Sequence, residues 1–430
     1  MRRVVSCCIL AFLLLAVAGG AGAVEVSIWP VAELDEIYDN NVDLTPTNRK
    51  GDWVTSETFG ATLEASTATR NVYLTYQTYL LEYAAYGGHD RFGNNHFANL
   101  RDDEQLSKNT RLSISENLLI GNAISNGSLV NGATPIGTQL MQSLFYSSSN
   151  LNNSFAIDLF SKYSESFTWT ANVHQNLFST LSSSSSTSSS GSSNPNSGDF
   201  YNQGAAIGGQ WDLPERFTGG FRYQFDDYRA SNSQPTAETN WPQAQMTWGE
   251  GTPFLFRGQV GPTITSSSSG SLVTTNSMGA LTTSTVSSKT QVQVGYIVRG
   301  DYRDRRLTIS AYAAQQPGFG AGFSFATNQQ SYGALINYKL TRRATIFANA
   351  AYYDQGASGV SEQGLSYTGG VTYRLNKYLI VSGNYLGFET KASSSAVLGG
   401  TFVGTPGKRT TVNLFQAGIT FSPPPLKWRL

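Results

Sequence analysis

Residues 364–389 read GLSYTGGVTYRLNKYLIVSGNYLGFE, and this stretch decides the fold. Tyr367, Val371 and Tyr373 fall on one face of an extended chain, while hydroxyl-bearing, charged and small residues fill the positions between them. A period of two is that of a β-strand and not of a helix. The chain turns at 374–377 and returns with a second strand, so the stretch predicts a β-hairpin.

The same hairpin pattern recurs along the chain. Further short turns are predicted at 105–108, 163–166, 211–216, 302–305 and 338–343. Repeated hairpins with one apolar and one polar face predict an all-β, up-and-down antiparallel barrel that spans a membrane. The runs predict about 18 strands, with 16 as the alternative. Short turns on one side and long loops on the other place both chain ends in the periplasm.

The first 23 residues differ in character from the rest. Arg2 and Arg3 precede an apolar run, and Ala21-Gly22-Ala23 has the small residues of a cleavage site. This pattern predicts a signal peptide at 1–23; the alternative, an anchoring helix, requires a longer apolar run. The predicted domains are then the signal peptide at 1–23, an outer-membrane barrel at 24–422 and a short periplasmic tail at 423–430. The tail begins with three prolines, which do not extend a β-ladder.

The composition argues against several classes of protein, among them nucleic-acid-binding and disulfide-bonded proteins. Charged residues make up 13% of the chain, mean hydropathy is −0.24, and Lys plus Arg balances Asp plus Glu at 29 each. Balanced charge gives no indication of a nucleic-acid partner. Both cysteines, Cys7 and Cys8, lie in the predicted signal peptide, so the mature chain offers no disulfide, thiolate metal site or covalent haem. We predict no cofactor.

Four polar segments are predicted to be loops, at 87–95, 122–138, 182–197 and 266–288. The last two are rich in serine and threonine, a composition that buries no core. The hairpin pattern resumes after the segment 182–197, so this segment is not a linker between domains.

Strand parity predicts which side chains face the interior of the barrel. The predicted pore-lining residues are Arg222, Gln224, Asp226, Arg257, Gln259, Arg299, Asp301, Lys339 and Arg374. One interpretation is a constriction of mixed charge that filters solutes. The other is a solvated wall whose charges pair with one another. Because both signs occur, no ion selectivity is predicted.

Aromatic residues at strand ends have two interpretations. Most are predicted to form an interfacial girdle near the periplasm. Tyr312 and Tyr353 point inward by parity, and could instead belong to a stacking track for sugars.

The histidines of the sequence give little support to a catalytic site or a metal site. The chain has three histidines, His89, His96 and His174. His174 lies on the polar face of its strand, and a serine near it would be needed for an outer-membrane lipid hydrolase. His89 and His96 do not have the spacing of a metal-binding pair. We predict neither a catalytic residue nor a metal ligand.

The segment Tyr38-Asp39-Asn40-Asn41-Val42 follows the first predicted strand. Here the chain resembles the outer-membrane β-barrel porins often associated with exopolysaccharide or surface-polymer loci, which show a Tyr-Asp-Asn-Asn segment at this point. The resemblance extends over the mature chain as a hairpin pattern, and it implies a role linked to polysaccharide export. Alternatively, residues 39–41 are turn formers at a strand end.

The sequence therefore predicts a passive, porin-like diffusion channel in the outer membrane of a Gram-negative bacterium. One alternative is a non-transporting barrel that acts as a surface scaffold or adhesin, and the other is the lipid hydrolase. The expected partners are outer-membrane lipid, the barrel assembly machinery, and small solutes or polysaccharide. No nucleic-acid partner is expected, and the oligomeric state is left open.

Overall fold

The computed structural model describes residues 24–41, 49–85, 91–121, 150–180, 200–230, 236–275, 281–318, 327–357, 360–392 and 409–429. The predicted signal peptide at 1–23 and the predicted loops at 122–138 and 182–197 lie outside these residues, so all three stay predictions.

The described chain is almost entirely β-strand. In order, the strands are β1 Glu25–Asp39, β2 Asp52–Ser66, β3 Arg70–Tyr83, β4 Arg91–Gln105, β5 Thr110–Gly121, β6 Asn150–Lys162, β7 Phe167–Thr180, β8 Phe200–Leu213, β9 Phe217–Ala230, β10 Ala237–Trp248, β11 Phe254–Ser267, β12 Gly270–Thr275, β13 Leu281–Val286, β14 Lys289–Arg303, β15 Leu307–Gly318, β16 Thr327–Lys339, β17 Ala344–Ala357, β18 Val360–Arg374, β19 Leu379–Ala392, β20 Arg409–Phe421 and β21 Leu426–Arg429. Helical structure in the described residues is a 3-10 turn at Pro214–Arg216, and none of it is long and apolar enough to cross a membrane.

Eighteen of these strands close into an antiparallel barrel. Each pairs with its neighbour in sequence, except that β11 pairs directly with β14. The ring closes where β1 pairs with β20, from Ala32 opposite Phe421 to Asp39 opposite Leu414. The prediction of about 18 strands is confirmed, and the alternative of 16 is wrong.

The hairpin at 364–389 is β18 and β19. Tyr367 pairs with Gly387 and Tyr373 with Val381, in one continuous antiparallel register. The alternation seen in the sequence therefore sorts side chains onto the two faces of the wall.

Exposure identifies the two faces. On β9, Phe221 is 50% exposed, whereas Asp226, of opposite parity, is 3% exposed. On β14, Val292 and Val294 are exposed, whereas Asp301 is buried. Large exposed apolar residues on one parity of nearly every strand mark the outer face, and the polar parity is the inner face.

Two predicted loops contain strand. β4 begins at Arg91, inside the predicted loop 87–95, because β3 continues to Tyr83 and its backbone groups take partners on β4. The predicted loop 266–288 holds the separate hairpin of β12 and β13. Its Val and Thr residues favour strand, which the serine-rich composition concealed.

The end of the chain pairs with its beginning. After the proline run at 423–425, β21 lies antiparallel to β1, with Leu426 opposite Ile28 and Trp428 opposite Val26. The prolines interrupt the ladder, and pairing resumes beyond them.

The Asp39-Asn40-Asn41 segment lies at the seam between first and last barrel strands. Asn40 and Asn413 are bonded twice: the Asn40 backbone N–H donates to the Asn413 carbonyl at 3.2 Å, and the Asn413 N–H donates to Asn40 Oδ1 at 2.8 Å. Asn41 Nδ2 donates to the Thr411 carbonyl at 3.1 Å. The local turn also exists, because the Asn41 N–H donates to Asp39 Oδ1 at 2.8 Å. These residues thus extend the closure of the barrel beyond the end of β1.

Candidate functional site: the inner wall of the barrel

Most predicted pore-lining residues lie on neighbouring strands of one part of the wall. Their parity is that of the inner face in every case: Arg222, Gln224 and Asp226 on β9, Arg257 and Gln259 on β11, Arg299 and Asp301 on β14, Lys339 on β16 and Arg374 on β18. Lys339 and Arg374 stand apart, since each is the last residue of its strand beside a short turn.

Two arginines face each other in register on this wall. Arg257 on β11 is opposite Arg299 on β14. Arg299 forms an ion pair with Asp301 at 3.0 Å, and Ser310 Oγ donates to the same carboxylate at 2.6 Å. Arg257 is exposed, and it has no ion pair among the residues the structure describes. Like charges in register repel, so a bound anion would stabilise the pair.

A chain of polar side chains crosses β6, β7 and β9. Asn172 Nδ2 donates to Asp158 Oδ1 at 2.8 Å, and Asn172 Oδ1 contacts His174 Nδ1 at 2.9 Å. His174 Nε2 lies 2.7 Å from Asp226 Oδ1, and Gln224 Nε2 donates to Asp226 Oδ2 at 2.8 Å. Asp226 is therefore held by two hydrogen-bond partners, which disperse its negative charge.

The bond from His174 to Asp226 passes over the strand between them. Gly204 on β8 is opposite both residues in register. A Cβ there would lie 2.5 Å from Asp226 Oδ1 and 2.6 Å from His174 Cε1. The missing side chain at this position is what lets a bond form between strands that are not adjacent.

The sequence analysis missed two inward residues of β10. Trp241 and Gln243 are opposite Gln224 and Arg222 and share their inner face. They are 3% and 4% exposed, and the indole nitrogen and both amide atoms have no hydrogen-bond partner among the residues that the structure describes. Along β10, Gln243 alternates with Ala244, and this alternation in the sequence could have assigned Trp241 and Gln243 to the inner face.

Arg222 completes this part of the wall. Asp158 and Asp226 are the carboxylates whose charge acts on it, and it forms no ion pair within the described ranges. A guanidinium without a bound carboxylate keeps its five N–H donors for water or solute.

The rest of the inner wall includes an apolar region. Its buried cluster consists of Ile37, Val54, Leu81, Tyr353, Leu386, Phe388, Val412 and Leu414, from six strands on both sides of the seam. Tyr353, predicted to point inward, is in this cluster, and Tyr312 lies on the inner face opposite Arg299. The interior thus has a charged part, from β6 to β15, and an apolar part around the seam.

The hydrolase interpretation can be compared with the geometry of His174. Both ring nitrogens contact Asn172 and Asp226, and His174 bonds no serine in the described part of the chain. His96 lies on the outer face, where its Nδ1 is 2.8 Å from Tyr76 Oη, and His89 is outside the described residues. Within the described ranges, no three His, Cys, Asp or Glu residues form a group that could hold a metal ion.

No protein-family model matches the chain, and no curated protein matches it. Among solved structures it is similar to OccK2 (OpdF) of Pseudomonas aeruginosa in complex with glucuronate, at 10% identity over 93% of this chain and 98% of that one, with a TM-score of 0.44. It is also similar to OccK8 (OprE) of P. aeruginosa, at 11% identity over 94% and 98%, with a TM-score of 0.43. A third is a loop-deletion mutant of OmpT, an outer membrane protein of Vibrio cholerae, at 10% identity over 93% and 99%, with a TM-score of 0.38. Similarity of this size assigns neither a family nor a solute to the chain.

Proposed function

We propose that the chain is a porin-like channel of the Gram-negative outer membrane, exported with a signal peptide that is cleaved after Ala23. One observation carries the proposal. The closed 18-stranded barrel has large exposed apolar side chains on its outer face and amides, hydroxyls and charges on its inner face. Such a barrel is stable in lipid, and one of this size encloses a water-accessible lumen unless something fills it.

The solute path follows the charged part of the wall in this proposal. Arg222, Arg257 and Arg299 supply positive charge, and Asp226 and Asp301 supply negative charge that is already partly paired. Gln224 and Gln259 offer amide donors and acceptors between them. Lys339 and Arg374 mark the periplasmic mouth. Solutes pass without a coupled energy source, as in a passive pore.

The link to exopolysaccharide rests on the resemblance of residues 38–42. Outer-membrane lipid surrounds the barrel, and the assembly machinery inserts it, recognising the last barrel strand, which ends at Phe421.

A second candidate is a closed barrel that acts as a surface scaffold or adhesin. The observation that favours it is the apolar cluster on the inner wall, where Phe388 and Val412 are each 1% exposed. Side chains that face an open aqueous lumen would be more exposed than this.

The experiment that decides between the candidates is single-channel conductance of the refolded chain 24–430 in planar bilayers. An open pore gives current steps that scale with salt concentration, and added oligosaccharides then block them if the polymer role is correct. Silence from a chain shown to be folded and inserted contradicts the channel and favours the scaffold.

A further inference from the structure

One buried aspartate of the described chain differs from the others in its hydrogen bonding. Four buried aspartates accept hydrogen bonds: Asp52 from the Ala85 N–H, Asp226 from Gln224, Asp227 from Arg229 and Asp301 from Ser310. Asp35 is 0% exposed, and neither of its carboxylate oxygens has a bond of ordinary geometry within the described residues. The Gln416 amide is near enough to act on the Asp35 charge, but it forms no such bond.

Asp35 lies at the seam of the barrel, on the inner face of β1. Its register partner on β20 is Gly418, and a Cβ at Gly418 would clash with Asp35 Oδ1. A glycine within a strand marks a place where another group approaches the backbone closely. The Asp35 carboxylate therefore rests on the backbone of the last barrel strand.

A second carboxylate, that of Glu33, lies on the same face two residues away. Its register partner is Thr420, whose Oγ1 donates to Glu33 Oε1 at 3.2 Å. Both carboxylates thus contact β20. Glu33 is the charged group that acts on Asp35, and like charges at this spacing repel. We call Glu33, Asp35, Gln416 and Thr420 the seam oxygen cluster.

The described residues around the cluster supply no positive charge. By parity, the inner faces of β19, β20, β1, β2 and β3 carry no lysine, arginine or histidine in the described ranges. Ser56 and Thr58 lie opposite Asp35 and Glu33 on β2 and are 1% and 3% exposed, so this part of the wall is shielded from solvent. Burying a carboxylate without a counter-charge is costly. The cluster therefore requires a bound positive charge.

The ligand chemistry narrows the choice of cation. Carboxylate, hydroxyl and amide oxygens are the ligands of hard cations, whereas zinc and copper favour histidine and cysteine, which the cluster lacks. One divalent cation balances the two carboxylates. Two carboxylates do not complete a coordination shell, and calcium readily adds neutral oxygens to reach about six to eight ligands. Magnesium keeps several waters, which a shielded site does not favour.

We propose that the seam oxygen cluster binds one calcium ion, which joins β1 to β20. Asp35 and Glu33 supply the charged ligands from β1, and Gln416 and Thr420 supply neutral oxygens from β20. Glu33 is half-buried, so it gives the ion a route from the lumen. The ion stabilises the strand pair that closes the barrel. This inference goes beyond the proposed function and does not require that solutes pass.

The test is urea unfolding of the refolded chain 24–430, followed by gel mobility at neutral pH in calcium chloride and in EGTA. Potassium chloride keeps the ionic strength equal. At a free calcium concentration 100 times the dissociation constant, the unfolding constant of the wild type should fall about a hundredfold. Asp35→Asn and Glu33→Gln should lose this response, because each removes a charged ligand and keeps the shape of the side chain.

Two further readouts separate calcium binding from a merely structural role of Asp35. In EGTA, Asp35→Asn should be at least as stable as the wild type, because it removes a buried carboxylate that nothing neutralises. Equilibrium dialysis with radioactive calcium should find one bound ion fewer per chain in this variant. A structural role alone would make the variant less stable and leave its response to calcium unchanged.

The double variant Glu36→Gln, Glu57→Gln is the matched control. Glu36 and Glu57 have the outer parity of the same two strands, β1 and β2, and Thr55 Oγ1 donates to Glu36 Oε1 at 2.9 Å. This variant loses two negative charges near the seam, yet it should keep the full response to calcium.

Four results would overturn the inference. They are no calcium response in the wild type, as when a proton neutralises Asp35, a full response in Asp35→Asn, an equal loss in the control, or the same effect from potassium chloride alone. Each can occur in a barrel that conducts, which leaves the proposed function intact. A folded barrel that responds to calcium but carries no current would instead contradict the channel and support the calcium site.

Discussion

His174 Nε2 lies 2.7 Å from Asp226 Oδ1, although the two residues belong to β7 and β9 and a whole strand runs between them. The contact ties three strands together at the charged part of the inner wall. In the proposed channel, this contact also sets how strongly the Asp226 charge acts on a passing ion, since a hydrogen-bonded carboxylate acts more weakly on its surroundings than a bare one.

In the channel proposed above, Asp226→Asn should lower the selectivity for cations. The substitution keeps the shape and removes one negative charge from the wall. A unit charge about 10 Å from an ion in water contributes roughly 0.4 kcal/mol, or about a factor of two in the permeability ratio. The measurement is the reversal potential across a bilayer in a salt gradient. His174→Ala should shift it the opposite way, and a shift in the same direction for both would show that the pair does not control the charge.

Gly204→Ala should reproduce the selectivity of His174→Ala while leaving the barrel stable. The new Cβ meets the ends of two flexible side chains, which can turn away once their bond is broken. Gly300→Ala is the matched control, because a Cβ there meets nothing within 4 Å. The free energies of unfolding of the two variants, measured in urea, should agree within about 0.5 kcal/mol. Unchanged selectivity in Gly204→Ala would contradict the role assigned to the bond.

Asn40→Ala and Asn41→Ala should weaken the closure of the barrel. Each removes a side-chain bond across the seam between β1 and β20, to Asn413 and Thr411 respectively. A loss of about 1 kcal/mol is expected for each. Urea unfolding, followed by the change in gel mobility between folded and unfolded barrel, measures it. Asn376→Ala is the control, because the Asn376 side chain accepts hydrogen bonds within a short turn away from the seam. This variant should lower the free energy of unfolding, but it should not increase the separation of β1 from β20 that cross-linking between the two strands would detect.

The turn between β10 and β11 offers a matched pair of glycines. Gly249 and Gly251 have φ of +85° and +76°, which side chains disfavour by about 1 kcal/mol. A Cβ at Gly249 would lie against the Phe254 carbonyl oxygen, a backbone atom, whereas at Gly251 it meets nothing. Gly249→Ala should therefore cost more than about 2 kcal/mol and Gly251→Ala about 1 kcal/mol. Equal unfolding midpoints for the two would show that the turn relaxes.

The turn between β8 and β9 contains two residues whose replacement should make the barrel more stable. Glu215 and Arg216 have φ of 62° and 61°, a conformation that Asn and Gly adopt far more readily. The double variant Glu215→Asn, Arg216→Gly should raise stability by about 1 kcal/mol in urea unfolding. A matched change at Arg342 and Arg343, which are not among the positive-φ residues of the described chain, should not stabilise. Destabilisation in the first variant would mean that the side chains of Glu215 and Arg216 hold the turn.

The strands and their faces could be predicted from the sequence because the period of two is a local property. Residues such as Phe221 and Asp226 differ in parity, and parity alone separates outside from inside. The bond from His174 to Asp226 could not be predicted, because it depends on the register of three strands and on a glycine between them. The same holds for β12 and β13, where serine content suggested a loop.

The pairing of β21 with β1 has a kinetic consequence. On the edge of β1 that does not face β2, residues 25–28 pair with 426–429 and residues 32–39 pair with β20, so this edge is completed only by segments that are synthesised much later than β1. Contacts this distant in sequence carry a high loop-closure entropy and form late. An intermediate with β1 unpaired on one side should accumulate on the way to the closed barrel, and cutting away residues 423–430 should lengthen its lifetime.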